Sequence, residues 1–383
     1  MHTIMKDPFR LYFPMGLIFG FWGMLVWILF FFQQMPYPGL NHADLMVMGF
    51  YTHFALGFLM TAIPRFTGTQ TASQMEIGAG FLLISFSLLC FARFDLFSHW
   101  VHVIYFLEIC FLIQYFLRRL SKRKSNPPPP FFFLFVGLFC AFTGGLVLLL
   151  QEHGLVSPVF NPKAFIYYGW TMAPMLGLGS VLVPKIIGYS QASILPLNHG
   201  ANADLKKPYI IMGFLSLMFL VSQLGAFWPQ VRGFVYLRQI VVTVVLVLFW
   251  TIYKMPPNKG YMAKGLWLSA WCLLIGTWFS VIDDAHRIHD IHLYFVGSIS
   301  LMISCIATRV IVAHGNYPQT DETSSKFLLF AIIFILLAAL TRVIAIWTQS
   351  YFVHLAVAAG IWILGYLLWT LKYGPKIFSM RDS

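Results

Sequence analysis

The sequence predicts an all-α, polytopic integral membrane protein with about twelve transmembrane helices. Three observations predict it. First, 59% of the 383 residues are hydrophobic and only 10% are charged, whereas a soluble domain carries about 25% charged residues. Second, apolar runs of roughly twenty residues, long enough to cross a bilayer, recur along the whole chain. Third, the lysines and arginines between those runs crowd onto alternate loops, as they do on the inner face of a membrane.

The runs are justified in order. Residues 11–32 are too long for a signal-peptide core and lack a small-residue cleavage site, so they are expected to remain as the first span. The second span, 43–63, follows a polar turn carrying His42 and Asp44 and stops at Pro64-Arg65, with Gly68 just beyond. Spans three and four are read at 77–94 and 99–117. A basic run at 118–124 and four prolines at 127–130 then form an inner loop, 118–130, stiffened by polyproline conformation. Spans five and six are read at 131–150 and 162–183. The second half supplies 208–227, 234–253, 262–282, 291–313, 327–347 and 351–371. No linker of domain length intervenes, so residues 1–383 read as a single transmembrane domain.

With the N-terminus placed in the cytoplasm, all but Arg93, Lys163, Arg232, Arg238, Arg287 and Arg342 of the 25 basic residues fall on the inner side. Both termini are therefore expected to be cytoplasmic. The net charge of +12 is then a topology signal, and a nucleic-acid partner is not implied. The five cysteines lie in apolar stretches without a C-x-x-C pair, so neither a disulfide framework nor an iron–sulfur site is supported. Phosphate-loop, G-x-S-x-G and H-E-x-x-H patterns are absent, which leaves hydrolase readings without a motif.

An internal repeat is visible. Leu56-Gly57, Pro64-Arg65 and Gly68 match Leu176-Gly177, Pro184-Lys185 and Gly188 at an offset of 120 residues, and Thr308-Arg309 follows a further 124 along. This predicts three groups of four helices with spans 2, 6 and 10 equivalent.

Polar residues in oil point to chemistry, because hydrocarbon offers them no partner. His53 lies deep in span 2. His42, His99, His102, His153, His286, His289, His292 and His354 fall near outer helix ends, whereas His2, His199 and His314 belong to the inner side. His289 and His292 are three apart and share a helical face; His286 does not join them on a continuous helix. Neutral imidazole is a common ligand for haem and copper, so His42, His53, His102, His289, His292, His314 and His354 are candidate ligands. Copper needs two or three of them within reach, and His42 with His102, His289 or His354 is one outer-face possibility. The alternative for each is a hydrogen-bonded or hydrated histidine. Glu108, near mid-bilayer, is the candidate for proton delivery, against a structural hydrogen bond. Arg342 suits either Glu108 or a haem propionate.

The segment His42-Ala43, Met46, Gly49-Phe50, Gly57-Phe58-Leu59, Thr61-Ala62, Pro64, Thr67-Gly68 resembles the first signature of the NnrS family. His292-Leu293, Val296-Gly297, Thr308-Arg309-Val310 and His314 resemble its second, and residues 176–188 (LGLGSVLVPKIIG) are similar to its middle region. The resemblance implies a bacterial inner-membrane protein carrying haem b and copper, linked to nitric oxide metabolism and nitrosative stress. It carries family histidines onto His42, His292 and His314. Where the family usually shows a second His, followed by Glu, in the first motif, this chain has Asp44 and Leu45. His53, Pro64 and Gly68 also resemble, more weakly, the second helix of haem–copper oxidase subunit I, whose tenth helix supplies the opposite haem ligands; that enzyme's copper-binding histidines have no counterpart in spans 6 and 7.

The expectation is a haem b between spans 2 and 10, with His53 or His42 facing His292, Arg342 beside it and copper near the outer surface. The expected partners are nitric oxide or metal-nitrosyl species and a respiratory electron donor, and turnover as an oxidoreductase is left open. Two other classes fit the same residues. A transporter for a metal or small solute would be colourless and show flux in liposomes. A non-catalytic respiratory assembly protein would copurify with a partner and tolerate loss of its histidines.

Overall fold

Helices form wherever the apolar runs predict them, because a backbone in hydrocarbon must satisfy its own hydrogen bonds. The computed structural model describes residues 7–92, 94–157, 161–189 and 206–380, and among them every regular element is helical. In chain order these are α1 (Phe9–Phe31), α2 (Asn41–Thr67), α3 (Gln74–Ala92), α4 (Phe94–Ser121), α5 (Phe131–Glu152) and α6 (Pro162–Ile187). They continue as α7 (Lys206–Ala226), α8 (Gly233–Phe249), α9 (Tyr261–Ile282), α10 (Arg287–His314), α11 (Lys326–Ile344) and α12 (Tyr351–Ile377). Eleven are long and apolar enough to cross a membrane. The chain is a polytopic membrane protein. The shorter one is α8, read from the sequence as 234–253; a left-handed turn at Thr251 (φ 57°) follows its early end.

The chain divides into two compact units. One holds α1, α2 as far as Phe58, the short stretch Ile186–Gly188, and everything from Lys254 onward; the other holds the remainder. In the first, α1 packs on α12 and on the start of α2, α9 packs on α10, and α11 packs on α10 and α12. In the second, α3 pairs with α4, α5 with α4 and α6, and α7 with α8 and α5. Close approach there relies on small residues. A Cβ on Gly179 would stand 1.9 Å from the Trp250 ring, and that indole donates to Ser180 Oγ at 3.1 Å.

Helices α2, α6 and α10 share a defect and a cap. Each begins with a short α-helical turn and then widens into a π turn, at Leu45–Tyr51, Phe165–Trp170 and Leu293–Ile299. A hydroxyl residue follows each: Thr52, Thr171 or Ser300. Thr52 donates to Val47 O at 2.8 Å and Thr171 to Tyr167 O at 2.5 Å, satisfying carbonyls where the helical ladder changes register. All three helices end in the same left-handed cap. Gly68 (φ 64°), Gly188 (φ 104°) and Asn316 (φ 54°) reverse the chain. The following amides, on Thr69, Tyr189 and Tyr317, bond to Pro64 O, Pro184 O and Val312 O at 2.9, 2.7 and 3.1 Å.

The caps lie 120 and then 128 residues apart, and the π-turn starts have the same offsets. The sequence match at Thr308-Arg309 was therefore one helical turn out of register. Asn, which tolerates left-handed backbone, replaces Gly at the third cap, and that removed the landmark.

The first unit is held by a ladder between α12 and α10. Trp362, Tyr366, Trp369 and Tyr373 form one buried row along α12, with the Trp362 and Tyr366 rings stacked at 4.2 Å. Trp362 Nε1 donates to Ser300 Oγ (2.9 Å), Tyr366 OH to Ser300 O (2.8 Å), and Trp369 Nε1 to Thr308 Oγ1 (2.9 Å) and Ser304 O (3.1 Å). Tyr373 OH reaches Asp321 O at 2.6 Å. Trp369→Phe keeps most of the packing and removes two hydrogen bonds, so the expected loss is about 1 kcal/mol. Trp369→Ala also empties a core site and is expected to cost about 3–5 kcal/mol. Unfolding of the purified protein in mixed micelles measures both, and equal effects would contradict the ladder.

Candidate metal and ligand site

The site is built at the end of the first unit where α2 and α10 begin. Each helix places a histidine there just before its π turn: His42 is three residues ahead of Leu45, and His292 directly precedes Leu293. His42 Nδ1 donates to Gly23 O on α1 at 2.7 Å, and its ring meets Trp27 edge-on at 5.5 Å. His292 Nδ1 donates to Ile288 O one turn back. A carbonyl only accepts, so each bond assigns the proton to Nδ1 and leaves the lone pair on Nε2. This carbonyl-to-Nδ1 arrangement is how metal-binding histidines are commonly held.

Both imidazoles line one cavity with Arg342 of α11. The other walls are apolar, with Met24 and Trp27 from α1, Ala338 from α11, and Ala358, Ala359 and Trp362 from α12. The free volume is about 30 Å³, room for a water or two or for a diatomic molecule. Arg342 is only 8% exposed, and its Nη1 donates to His289 Nδ1 at 2.7 Å.

That last bond separates the histidines of α10. His289 spends Nδ1 on Arg342. His286, at the entrance of α10, turns to Asp283, with Nδ1 donating to Oδ2 at 2.8 Å. Only His292 of the three lines the cavity. His53 is fully buried elsewhere in the same unit; its Nδ1 donates to Gly49 O at 2.8 Å and its ring lies 4.6 Å from Phe19. It does not line the cavity with His292. His354 sits among Thr348 and Ser350 at 3.2–3.3 Å. His314, at the other end of α10, bonds Val310 O at 2.9 Å and packs on Phe9. In the second unit, His102 Nδ1 meets Glu152 Oε1, and Glu108 accepts a 2.7 Å hydrogen bond from Ser87 Oγ. His2 and His199 lie outside the described residues, as does the side chain of His99.

Among the described residues no three His, Cys, Asp or Glu side chains converge as a metal site. The fit to the expected groups is therefore divided. Two imidazoles with Nε2 lone pairs suit one soft or borderline metal ion with open positions. A porphyrin does not fit the cavity as it stands, since cofactor pockets run to about 300–1,000 Å³. Sequence reasoning had the chemistry of His42, His292 and Arg342 but could not foresee Gly23 O or the walls supplied by α1 and α12.

Comparison with known proteins adds one finding: the model of a protein family described as NnrS protein matches residues 3–381. No curated protein matches the chain.

At the rim outside the helices, the His286 side chain, and secondarily the His286 amide at 3.3 Å, hold the Asp283 carboxyl below its ordinary value of 3.8. A carboxylate depressed in the folded state contributes stability above its unfolded pKa, and that contribution is lost as pH falls through the lowered value. His286→Ala is expected to return the Asp283 titration toward 3.8, read from its side-chain carboxyl resonance. An unmoved titration would refute the pairing.

Proposed function

The chain belongs to the NnrS family, and from that premise we propose that it handles nitric oxide, or a metal adduct of it, at the His42–His292–Arg342 cavity. One observation carries the reading. Two imidazoles on separate helices, each with Nδ1 engaged by a backbone carbonyl, line the same small apolar cavity. His42 and His292 would hold a metal ion, copper being the best match to their donor set. Bound there, it would supply the centre at which nitric oxide coordinates.

The protein's own groups have distinct tasks. Apolar walls suit a small, weakly polar gas that partitions into the bilayer. Arg342, positioned through His289, presents a positive charge to any anionic partner or product. Trp27 and Trp362 keep the cavity narrow. Glu108, buried beside Ser87 in the second unit, is a carboxyl that can hold or release a proton within that unit. Haem b is expected only if the lining side chains part to admit it, and no step is derived through it.

Purified protein tested for metal content and for spectral change on adding nitric oxide decides the matter. Stoichiometric copper is expected. His42→Ala and His292→Ala should each lower it at least about tenfold, the cost already incurred when only a ligand's outer-shell partner is lost, while His354→Ala leaves it unchanged. A Soret band lost with either variant would place haem at the same histidines. A metal-free, colourless protein that transports solute in liposomes would overturn the assignment.

A further inference from the structure

A second site lies in the other unit, at the end of α2 away from the histidine cavity. Here Gly68 reverses the chain into a polar turn, TQTAS at 69–73, that leads into α3. The turn after α4 is clamped alongside. Lys124 N and Ser125 N bond to Thr67 O at 2.8 and 3.2 Å, and Ser125 Oγ bonds to Phe66 O at 3.0 Å. Between the two turns is a cavity of about 520 Å³.

Its charge is one-sided. Arg118, Arg119, Lys122 and Lys124 line it against the single carboxylate of Glu76, leaving a balance of +3. Glu76 is already committed. It accepts from Ser73 N at 2.8 Å in a capping box on α3 and from both Nη atoms of Arg119, with Arg118 at 3.5 Å. Arg119 is in turn laid flat on Tyr115, 3.6 Å from the ring. Glu76 and Arg119 therefore form a rigid wall, and Lys122, Lys124 and most of Arg118 are left facing the cavity and solvent. The volume far exceeds what a simple ion needs and falls in the range of small-molecule sites.

Exposed apolar side chains next in sequence to two lining residues point to the ligand. Met75, just before Glu76, is 86% exposed, and Leu117, just before Arg118, is 53% exposed. Both sit where spans α3 and α4 end, so an acyl chain against them would bring its headgroup to the lysines.

We propose that this pocket binds a phosphate-bearing anion, the headgroup chemistry of an acidic phospholipid. Lys122, Lys124 and Arg118 neutralise the phosphate, and Thr71 lines the same cavity as a hydroxyl donor, whereas Thr69 Oγ1 donates to Thr67 Oγ1 at 2.9 Å. A free phosphate shares this chemistry, so the test has separate arms for the two sources.

Delipidated full-length protein is titrated with phosphatidylglycerol, with phosphatidylcholine of the same chain length and with inorganic phosphate, and bound ligand is counted by native mass spectrometry. Phosphatidylglycerol is expected to be retained in preference to phosphatidylcholine. Lys122→Ala/Lys124→Ala, whose side chains are exposed, should weaken it on the order of tenfold, near what two interfacial cations supply. Lys254→Ala/Lys259→Ala is the control and should change nothing. Retention of inorganic phosphate, lost in the same double variant, supports the site with a free anion as its ligand. Equal binding by the wild type and the Lys122/Lys124 variant, or an equal loss in the control, would overturn the proposal. Because the histidine cavity is untouched, metal content stays constant in every arm, so failure here is separable from failure of the metal reading.

Discussion

The contact on which the first unit depends is the aromatic ladder joining α12 to α10. Hydrocarbon does not drive two apolar helices together; packing and interhelical hydrogen bonds must. Trp362, Tyr366 and Trp369 combine both, each giving a large ring to the interface and one donor to Ser300, Ser304 or Thr308. The ladder also holds the candidate site. Trp362 is at once its first rung and a wall of the cavity, and Ser300 sits directly after the π turn that follows His292. Loosening the ladder would move a wall and a candidate ligand together.

The π turns are the second constraint. An extra residue per turn is tolerated only where freed backbone groups find partners, and the hydroxyls of Thr52 and Thr171 take up carbonyls in two of the three helices α2, α6 and α10. Both histidines of α2 meet α1, His42 at Gly23 and Trp27 and His53 at Phe19 and Tyr12. Eleven residues of rise, about 16 Å, separate them, and His42 lines the cavity while His53 does not. Of the two histidines expected to face His292, His42 shares its cavity.

Much of the design is periodic and therefore legible in one dimension. Spans show as apolar runs, and the Pro64/Gly68 and Pro184/Gly188 pairs mark two caps built with proline and a left-handed glycine. The third cap was obscured because Asn316 performs glycine's conformational role with a different letter. The cavity residues His42, His292 and Arg342 were equally legible as costly polar groups in an apolar chain. His102, His314 and His354 carried the same signal, yet the structure gives each a local partner away from the cavity.

Composition and spacing were thus enough to establish a polytopic helical membrane protein, its repeated second helices and a short roll of histidines capable of metal chemistry. Those properties depend on hydropathy summed along the chain and on backbone preferences of single residues. Tertiary structure alone decided which imidazoles meet. That outcome turns on which helices wall the cavity and on which histidine Arg342 engages, both of which depend on neighbours distant in the chain.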